Sequence, residues 1–362
     1  MKILHVITSL YTGGAEHLIV DLLPLLTDDG KNQVALLLMN GVETPFKNKI
    51  EQQGIKVYSF STTNDVYNPL NILKMRKYLK GFDVIHTHNT ACQLYVPIAR
   101  LMGSDCAVLV TTEHSSSNRR RSKRWLRPID LWMYKRYAAI ICIADKARNN
   151  LENYIGKREG IFTISNGVDT KHFIRPVKDI SGQKQFVITM VAAIRAEKDH
   201  ATLIKSMTHL PENYRLQIVG DGERENRERV QSLCSNLELD SRVSFLGVRQ
   251  DVPDILEQSD VVVLSSHWEG LSLSSIEGMA SGRPFVASDV DGLREMVGGA
   301  GVLFTHGDDK DLAEKIQWLC EHPDKYKQVA TRCQEKAKQY DISVMARKYL
   351  DLYEELLSSH VN

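Results

Sequence analysis

Short apolar runs alternate with amphipathic stretches along almost the whole of this 362-residue chain, and this alternation constrains the fold more than any other feature. The apolar runs are nearly continuous in Val, Ile and Leu, which is typical of strands buried on both faces of a parallel sheet. The stretches between them repeat apolar residues at helical spacing. The pattern therefore predicts an α/β fold built from doubly wound parallel sheets.

The pattern also predicts two domains. Strands are expected at residues 3–7, 34–38, 57–60, 84–86, 107–111, 139–143 and 161–164, and then at 186–191, 215–219, 243–246, 261–264 and 285–287. Helices are expected at 15–23, 71–79, 200–208, 225–237, 252–258, 275–280, 309–320 and 343–357. The stretch 175–185 is polar and aperiodic, as a linker would be. We expect domains at 1–170 and 171–340, with a C-terminal helix at 341–362 that packs back on the first.

Composition excludes several classes of protein. The net charge of +1 gives no ground for nucleic acid as a partner. No apolar run approaches the ~20 residues that cross a bilayer, and the first apolar run is too short for a signal peptide, so a cytoplasmic protein is expected. The six cysteines show neither a CxxC pair nor zinc spacing, and reduced thiols are expected.

The strongest functional signal is the segment 268–284, WEGLSLSSIEGMASGRP. It follows an expected strand and leads into an expected helix, whose free backbone N–H groups suit a diphosphate. Glu269 and Glu277 are eight positions apart and suit sugar or ribose hydroxyls. Alternatively, Ser274 and Glu277 form a capping-box pattern in which Glu277 bonds only to its own helix N-terminus. The place of the pair after a strand of an α/β sheet, where ligands bind, favours the first interpretation.

This segment resembles the E-x7-E signature of the retaining glycosyltransferases of family 4, of the bacterial surface-polysaccharide type. The similarity continues, in order, through TGGAE at 12–16, DVIHTH at 83–88, NGVD at 166–169, EKDHATLI at 197–204, VGDG at 219–222 and GVRQDVP at 247–253. It implies the GT-B architecture, in which two Rossmann-like domains face each other across a cleft. It also implies a nucleoside diphosphate sugar as donor, with UDP favoured over GDP.

The resemblance places most of the donor site in the second domain. Lys198, which alone suggests only a solvated lysine at a helix start, would bind the donor phosphates. Glu269 would hold sugar hydroxyls and Glu277 the ribose. The backbone that would approach the donor belongs to Gly270, Leu271, Ser272, Leu273 and Ser274.

Five further residues would contact the donor according to the resemblance. Gly14, in a turn that is not the G-x-G-x-x-G fingerprint, would offer its N–H to the diphosphate. The nucleotide base and its ribose would be cradled by Asp221, Gly222, Val248 and Arg249, which are otherwise only βα-loop residues.

One departure from the family pattern concerns the cationic partner of Lys198. The usual arginine five residues earlier is Ala193 here, and Arg195, two positions on, would replace it in part.

His114 is the candidate catalytic residue of the first domain. A lone histidine after a strand is more often structural, but by resemblance His114 faces the transferred sugar, opposite Glu269. His86 and His88 compete for this role and are interpreted as structural, or as acceptor-side at most.

A basic segment directly follows His114. Residues 119–136 include eight basic residues and one acid, a formal charge of +7, with Trp125 and Trp132 interleaved. Ile129, Trp132, Met133 and Tyr137 are expected on one helical face. Such a run is often only a solvated surface, but here it suggests contact with a membrane that carries the acceptor.

The sequence thus predicts a retaining glycosyltransferase that acts on a lipid-linked saccharide or, alternatively, on a soluble small molecule. The resemblance implies same-face attack in which the leaving phosphate takes the acceptor proton. It also implies no metal, since backbone amides and Lys198 neutralise the diphosphate. The alternatives are a UDP-sugar 2-epimerase of the same fold, an NAD-dependent oxidoreductase, which the missing G-x-G-x-x-G disfavours, and an inactive binding module, suggested by Ala193.

Overall fold

The structure is a computed structural model that describes residues 1–11, 14–28, 30–62, 65–103, 106–114, 120, 121 and 123–360. The chain divides into two compact units. The first unit consists of Met1–Gly167 together with Ile342–Asn362, and the second of Val168–Asp341. The second unit is therefore inserted between the main part of the first and its last helix.

Thirteen strands are found among the described residues. They are β1 Lys2–Ile7, β2 Gln33–Leu38, β3 Lys56–Ser59, β4 Val84–His88, β5 Val108–Glu113, β6 Ala139–Cys142, β7 Ile161–Thr163, β8 Phe186–Val191, β9 Tyr214–Val219, β10 Val243–Gly247, β11 Val261–Leu264, β12 Phe285–Ser288 and β13 Val302–Phe304.

Fifteen α-helices accompany them in the described part of the chain. They are α1 Gly14–Leu26, α2 Pro45–Gln52, α3 Leu70–Arg76, α4 Thr90–Leu101, α5 Arg127–Tyr134, α6 Asp145–Ile155, α7 Thr170–Phe173, α8 His200–Ser206, α9 Arg224–Asn236, α10 Val252–Gln258, α11 Leu273–Ala280, α12 Leu293–Val297, α13 Asp309–Glu321, α14 Pro323–Lys338 and α15 Ile342–His360. Single 3-10 turns lie at Arg124–Leu126 and Ala196–Lys198.

Each unit contains one parallel sheet, which confirms the doubly wound α/β prediction. The strand order is β3-β2-β1-β4-β5-β6-β7 in the first unit and β10-β9-β8-β11-β12-β13 in the second. The direction of winding reverses between β1 and β4, and again between β8 and β11. At such a switch point the crossover helices diverge to opposite faces, which leaves a crevice outside the carboxyl ends of the two strands. These two points are therefore where each unit can build a ligand site.

The apolar runs form the strands because their side chains are buried on both faces. In β1, for example, Ile3, Leu4, Val6 and Ile7 all have no exposed surface. The sequence pattern did not predict β13, whose three residues are too few to show a period, or α14, whose outer face is strongly polar. It also gave no prediction for α2, α4, α6, α7 and α12.

The two ends of the second unit lie side by side. Val168 and Asp341 form an isolated parallel bridge, and the Thr170 hydroxyl donates to the Asp341 carboxylate at 2.5 Å. The backbone N–H of Val168 also donates to the carbonyl of Tyr340 at 3.0 Å. The chain therefore enters and leaves this unit at one place.

Candidate donor site and its neighbours

Glu277 does not cap its helix, so the capping-box interpretation is wrong. Helix α11 is capped by Ser272, whose hydroxyl accepts from the Ser275 N–H at 3.3 Å. Glu277 lies in the second turn and has no hydrogen-bond or ion-pair partner among the residues that the structure describes. Its carboxyl group is only partly exposed, and burial raises its pKa from an ordinary 4.5 to about 7. An unpartnered, desolvated carboxyl group of this kind is typical of a ligand site.

Replacement of Glu277 with glutamine is expected to change how stability depends on pH. The folded protein holds this proton more tightly than the unfolded chain, so the stabilisation is fully present below pH 4.5 and is lost as the pH rises through about 7. The free energy of unfolding of Glu277→Gln, relative to that of the wild type, should therefore rise by about 2 kcal/mol when the pH is raised from 5 to 8. Urea unfolding at both pH values measures this difference. Glu314→Gln, on the exposed face of α13, is the control, and an equal gain in both variants would contradict the burial of Glu277.

Lys198 and Glu269 meet at the switch point of the second sheet. Lys198 ends the 3-10 turn after β8, and Glu269 lies in the loop after β11. The Lys198 ammonium group donates to the Glu269 carboxylate at 2.5 Å, and the Ser266 hydroxyl donates to the same oxygen at 2.7 Å. Both side chains are largely shielded, with 19% of Lys198 and 9% of Glu269 exposed. The structure thus joins a cation and a carboxylate, groups that suit phosphate and hydroxyl groups respectively, at the switch point of this sheet.

Backbone contacts hold the two loops together. The His267 N–H donates to the Glu197 carbonyl at 2.8 Å, and the Ser265 hydroxyl donates to the Asp199 carbonyl at 2.8 Å. Asp199 adopts a left-handed conformation and caps α8 by accepting from the Thr202 N–H at 3.2 Å. The position of Lys198 is therefore fixed by the start of α8 on one side and by the neighbouring loop on the other.

Gly292 supports the Glu269 loop, and the sequence analysis missed it. Its φ is +84°, and a Cβ there would lie 2.6 Å from the carbonyl oxygens of both Glu269 and Gly270. Only glycine allows that approach. The signal that could have revealed it is the Asp291-Gly292 pair just after a strand, because this dipeptide marks a tight turn.

The loop 219–222 is shaped by the same kind of contact. A Cβ on Gly220 would lie 2.1 Å from the Ala192 carbonyl oxygen, and one on Gly222 would lie 2.0 Å from that of Ile194. Asp221 accepts from the Gly222 N–H at 2.8 Å and from Arg227 at 2.8 Å, and both bonds lower the pKa of its carboxyl group. These residues pack the loop after β9 against the loop after β8.

The remaining donor candidates of the second unit are exposed. Val248 is 78% exposed, and the Arg249 guanidinium is paired with Asp251 at 2.8 and 2.6 Å. Arg195 is 66% exposed and lies 3.9 Å from Glu197. Gly270 has open space where a Cβ would stand, Leu271, Leu273 and Ser274 are partly buried, and Ser272 is buried as the cap of α11.

In the first unit, Gly14 is exposed and begins α1, whereas Thr12 and Gly13 lie outside the described residues. His114 follows β5 and is partly buried. Its Nε2 bonds to Nδ1 of His88 at 2.8 Å, whereas its Nδ1 is buried without a partner in the described part of the chain. Burial lowers the pKa of His114 to about 4, so the ring is neutral at physiological pH. His86 and His88 are buried within β4.

Among the described residues, two groups of side chains have the composition of a metal site. One consists of His5, His86 and His88, all buried in β1 and β4, and the other of Asp199, His267 and His306. In the second group His267 already bonds to His306 at 2.7 Å, and Asp199 is engaged as the cap of α8. Imidazole and carboxylate ligands together suit zinc or a related ion.

Two of the cations of the basic segment are paired with acidic side chains of the first unit. Arg121 pairs with the buried Glu113 at 2.7 Å, and Arg120 pairs with the buried Asp130. Residues 119 and 122 lie outside the described residues. Trp125, however, is 71% exposed, and Ile129 is 41% exposed. None of the described helices is both long and apolar enough to cross a membrane.

Two known families together match almost the whole chain. Residues 12–172 match the family described as Glycosyltransferase Family 4, and residues 173–340 match the family described as Glycosyl transferases group 1. The boundary between the two matches falls close to the boundary between the two structural units.

Several bacterial enzymes are similar to this chain. The UDP-Gal:alpha-D-GlcNAc-diphosphoundecaprenol alpha-1,3-galactosyltransferase of Escherichia coli is 30% identical over 254 residues, which are 65% of this chain and 64% of the relative. A GalNAc-alpha-(1->4)-GalNAc-alpha-(1->3)-diNAcBac-PP-undecaprenol alpha-1,4-N-acetyl-D-galactosaminyltransferase of Campylobacter jejuni is 23% identical over 98% of this chain and 99% of its own. The chain thus spans less than two thirds of the E. coli relative and nearly all of the other.

Solved structures share the fold. The structure of Anabaena Alr3699/HepE in complex with UDP superposes with a TM-score of 0.84 and 23% identity, and the match covers 98% of this chain and 100% of that one. The lipopolysaccharide outer core galactosyltransferase WaaB superposes with a TM-score of 0.75 and 16% identity over 98% of this chain and 100% of its own.

Proposed function

The chain belongs to the family 4 glycosyltransferases, and from that premise we propose that it moves a sugar from a UDP-sugar to a lipid-linked saccharide with retention at the anomeric carbon. The observation that carries the proposal is the Lys198–Glu269 pair at the switch point of the second sheet. A shielded cation beside a shielded carboxylate matches a donor that carries both phosphate and hydroxyl groups.

Each polar group of the second unit has one task in this proposal. Lys198 neutralises the diphosphate as charge develops on it, and the N-terminus of α11 adds backbone N–H groups. Glu269 accepts from the sugar hydroxyls, and Glu277 accepts from the ribose. Arg195 supplies part of the charge of the arginine that Ala193 replaces. The two residues alternate with the buried Ala192 and Ile194, so Ala193 and Arg195 lie on the same, more exposed side of this segment.

The chemical step that we propose is the one that the family resemblance implies. The acceptor hydroxyl attacks the anomeric carbon on the face that the diphosphate leaves. The carbon–oxygen bond to the diphosphate breaks, the new glycosidic bond forms, and the leaving phosphate oxygen takes the acceptor proton. His114 is the group of the first unit that we propose to bond to the transferred sugar. The reaction in this form uses no metal.

The acceptor is inferred from the relatives. Those from E. coli and C. jejuni that match this chain are named for undecaprenol-linked saccharides, and the former is named for a UDP-sugar donor. They are transferases, which favours transfer over 2-epimerisation. Bacterial surface-polysaccharide assembly is therefore the proposed setting.

The test is an assay with radiolabelled UDP-glucose, UDP-galactose and their N-acetyl forms, with undecaprenyl-diphosphate-linked mono- and disaccharides as acceptors. We expect label in the lipid fraction with one donor, and an α-linkage by NMR of the product. Parallel calorimetric titrations should show binding of UDP but not NAD, and weaker UDP binding by Glu277→Gln without earlier melting. Interconversion of UDP-sugars with no acceptor present would instead establish the epimerase. Binding of NAD alone would establish the oxidoreductase.

We also propose that the first unit contacts an anionic membrane through Trp125, Ile129 and the cations beside them. Exposed aromatic and aliphatic side chains next to Lys123 and Arg127 suit the headgroup region. Vesicles containing phosphatidylglycerol should co-sediment the wild type at low salt and release it at high salt. The double variant Lys123→Ser, Trp125→Ser should stay in the supernatant. Trp318→Ser, which removes an exposed tryptophan of the second unit, is the control and should sediment normally. Equal sedimentation of all three proteins would reject this surface.

A further inference from the structure

Four histidines and three hydroxyl groups of the first unit form one continuous hydrogen-bonded chain. It spans β1, β4, β5 and α15 and ends just beyond β5, and its members in order are Tyr349, Thr112, His86, Tyr353, His5, His88 and His114. All of them except His114 are buried. The chain runs along the switch point between β1 and β4, where the first sheet can build a ligand site.

Six hydrogen bonds connect the seven groups. Each histidine inside the chain bonds to its two neighbours through its two different ring nitrogens, whereas each hydroxyl group inside the chain bonds to both neighbours through its single oxygen. Tyr349 Oη lies 3.2 Å from Thr112 Oγ1, which lies 2.7 Å from His86 Nε2. His86 Nδ1 lies 2.5 Å from Tyr353 Oη, which lies 3.5 Å from His5 Nε2 in the longest link. The last two distances are 2.9 Å from His5 Nδ1 to His88 Nε2 and 2.8 Å from His88 Nδ1 to His114 Nε2.

The imidazoles are joined end to end. The ring centres of His5 and His88 are 5.1 Å apart, and so are those of His88 and His114. In both pairs the distance between ring centres is longer than the N···N distance by about twice the distance from a ring centre to its nitrogen. The two bonded nitrogens therefore lie nearly on the line that joins the ring centres. In this arrangement the nitrogens of His5 and His88 point at each other and do not converge on a common point, as ligands of a metal ion would. Hydrogen bonding thus accounts for this cluster.

Proton counting allows the chain only two states. Burial keeps the imidazoles neutral, because it lowers the pKa of His5 to about 3 and the pKa values of His86 and His88 well below their ordinary value. Each of the seven groups then carries one shared proton, and six links use six of them. One N–H or O–H group is left over, at one end of the chain or at the other. The four histidines are therefore all protonated at Nδ1 or all at Nε2.

The two ends differ in what can use the remaining proton. If it stays on the Tyr349 hydroxyl, a donor is left in the fully buried core, with no further partner among the described residues. If it lies at the other end, it is on Nδ1 of His114. That atom is also buried and has no partner in the described structure, but it belongs to the one partly exposed member of the chain, next to the end of β5. A ligand oxygen there would complete the chain.

We propose that His5, His86, His88 and Tyr353 are positioning residues that hold His114 as its Nδ1–H tautomer, so that His114 offers a hydrogen-bond donor to an oxygen of its ligand. That the ligand is the transferred sugar rests on the proposed function, whereas the tautomer does not. An isolated neutral imidazole exchanges between tautomers, so a fixed donor has to be imposed by its neighbours.

The test is nitrogen NMR on protein labelled with 15N in its twelve histidine rings. The protonated and bare ring nitrogens resonate far apart, and single His→Asn variants assign the four signals. We expect protonated Nδ1 in His5, His86, His88 and His114 alike. Protonated Nε2 in all four, or different tautomers within the chain, would overturn the proposal.

Tyr353→Phe is the decisive variant, because it removes the hydroxyl that joins His5 to His86. Nε2 of His5 then lacks a partner among the described residues whether it is bare or protonated, so both states of the shortened chain leave an unpaired nitrogen in the core. His114 should therefore show a mixture of tautomers, and kcat/KM for sugar transfer should fall about tenfold. Tyr137→Phe is the matched control. It removes another buried hydroxyl group of the same unit, bonded to Thr87 and Gln93, and should leave the four signals unchanged. An unchanged His114 spectrum in Tyr353→Phe would overturn the proposal even if the protein transfers no sugar.

Discussion

Lys198→Met should lower kcat/KM for sugar transfer about a thousandfold, because methionine keeps most of the side-chain stem but removes the charge that we propose neutralises the leaving diphosphate. It should also destabilise the protein by about 1–3 kcal/mol, since the shielded carboxylate of Glu269 loses its partner and keeps only the Ser266 hydroxyl. Initial-rate assays and urea unfolding measure the two effects separately.

A double variant separates catalysis from folding. Lys198→Met combined with Glu269→Gln removes both charges, so it should recover most of the lost stability and none of the activity. Lys315→Ala is the matched control, because that lysine is also paired with a carboxylate in the second unit, at 3.4 Å from Asp311. It should change neither property by much. If the double variant transferred sugar as well as the wild type, neither residue would belong to the donor site.

Gly292→Ala is expected to lower activity at least a hundredfold although Gly292 offers no functional group. A methyl group there would lie 2.6 Å from the carbonyl oxygens of Glu269 and Gly270, so the loop that carries Glu269 would have to move. A displacement of about 1 Å near reacting groups has effects of this size. Stability should also fall by about 2–4 kcal/mol.

The chain provides a close control for this substitution. Gly299 also has a positive φ, +77°, but nothing lies within 4 Å of the position of its Cβ. Gly299→Ala should therefore show only the backbone strain of about 1 kcal/mol and keep its activity. Equal losses of activity in the two variants would mean that the contact with the Glu269 loop is unimportant.

The fold could be predicted from the sequence because strands buried on both faces consist of nearly continuous runs of Val, Ile and Leu. That Lys198 and Glu269 lie at one edge of the second sheet could also be expected, since both follow strands of a parallel sheet, whereas Lys198 was singled out only by the family resemblance. The sequence could not show that the two side chains form a pair, because 71 positions separate them and their meeting depends on β8 and β11 being neighbours.

Other features depended on contacts that no local pattern records. Tyr353 bonds to a histidine 267 positions away, so its part in the histidine chain follows only from the docking of α15. His5 gave a weak signal as the one polar residue inside the apolar run of β1. The formal charge of the basic segment likewise overstates the charge that is free for a partner, because Arg121 pairs with Glu113, an acid outside that segment.

The side-by-side ends of the second unit have an evolutionary consequence. Because the chain enters and leaves at Val168 and Asp341, which are bridged to each other, the half that carries Lys198 and Glu269 is a cassette with adjacent joints. Recombination at these two joints exchanges the donor half while the histidine chain, including the tyrosines of α15, stays together in the other half. Under the proposed function, a chimaera joined at 167/168 and 341/342 would therefore exchange the donor-binding residues of the second unit and leave the first unit unchanged.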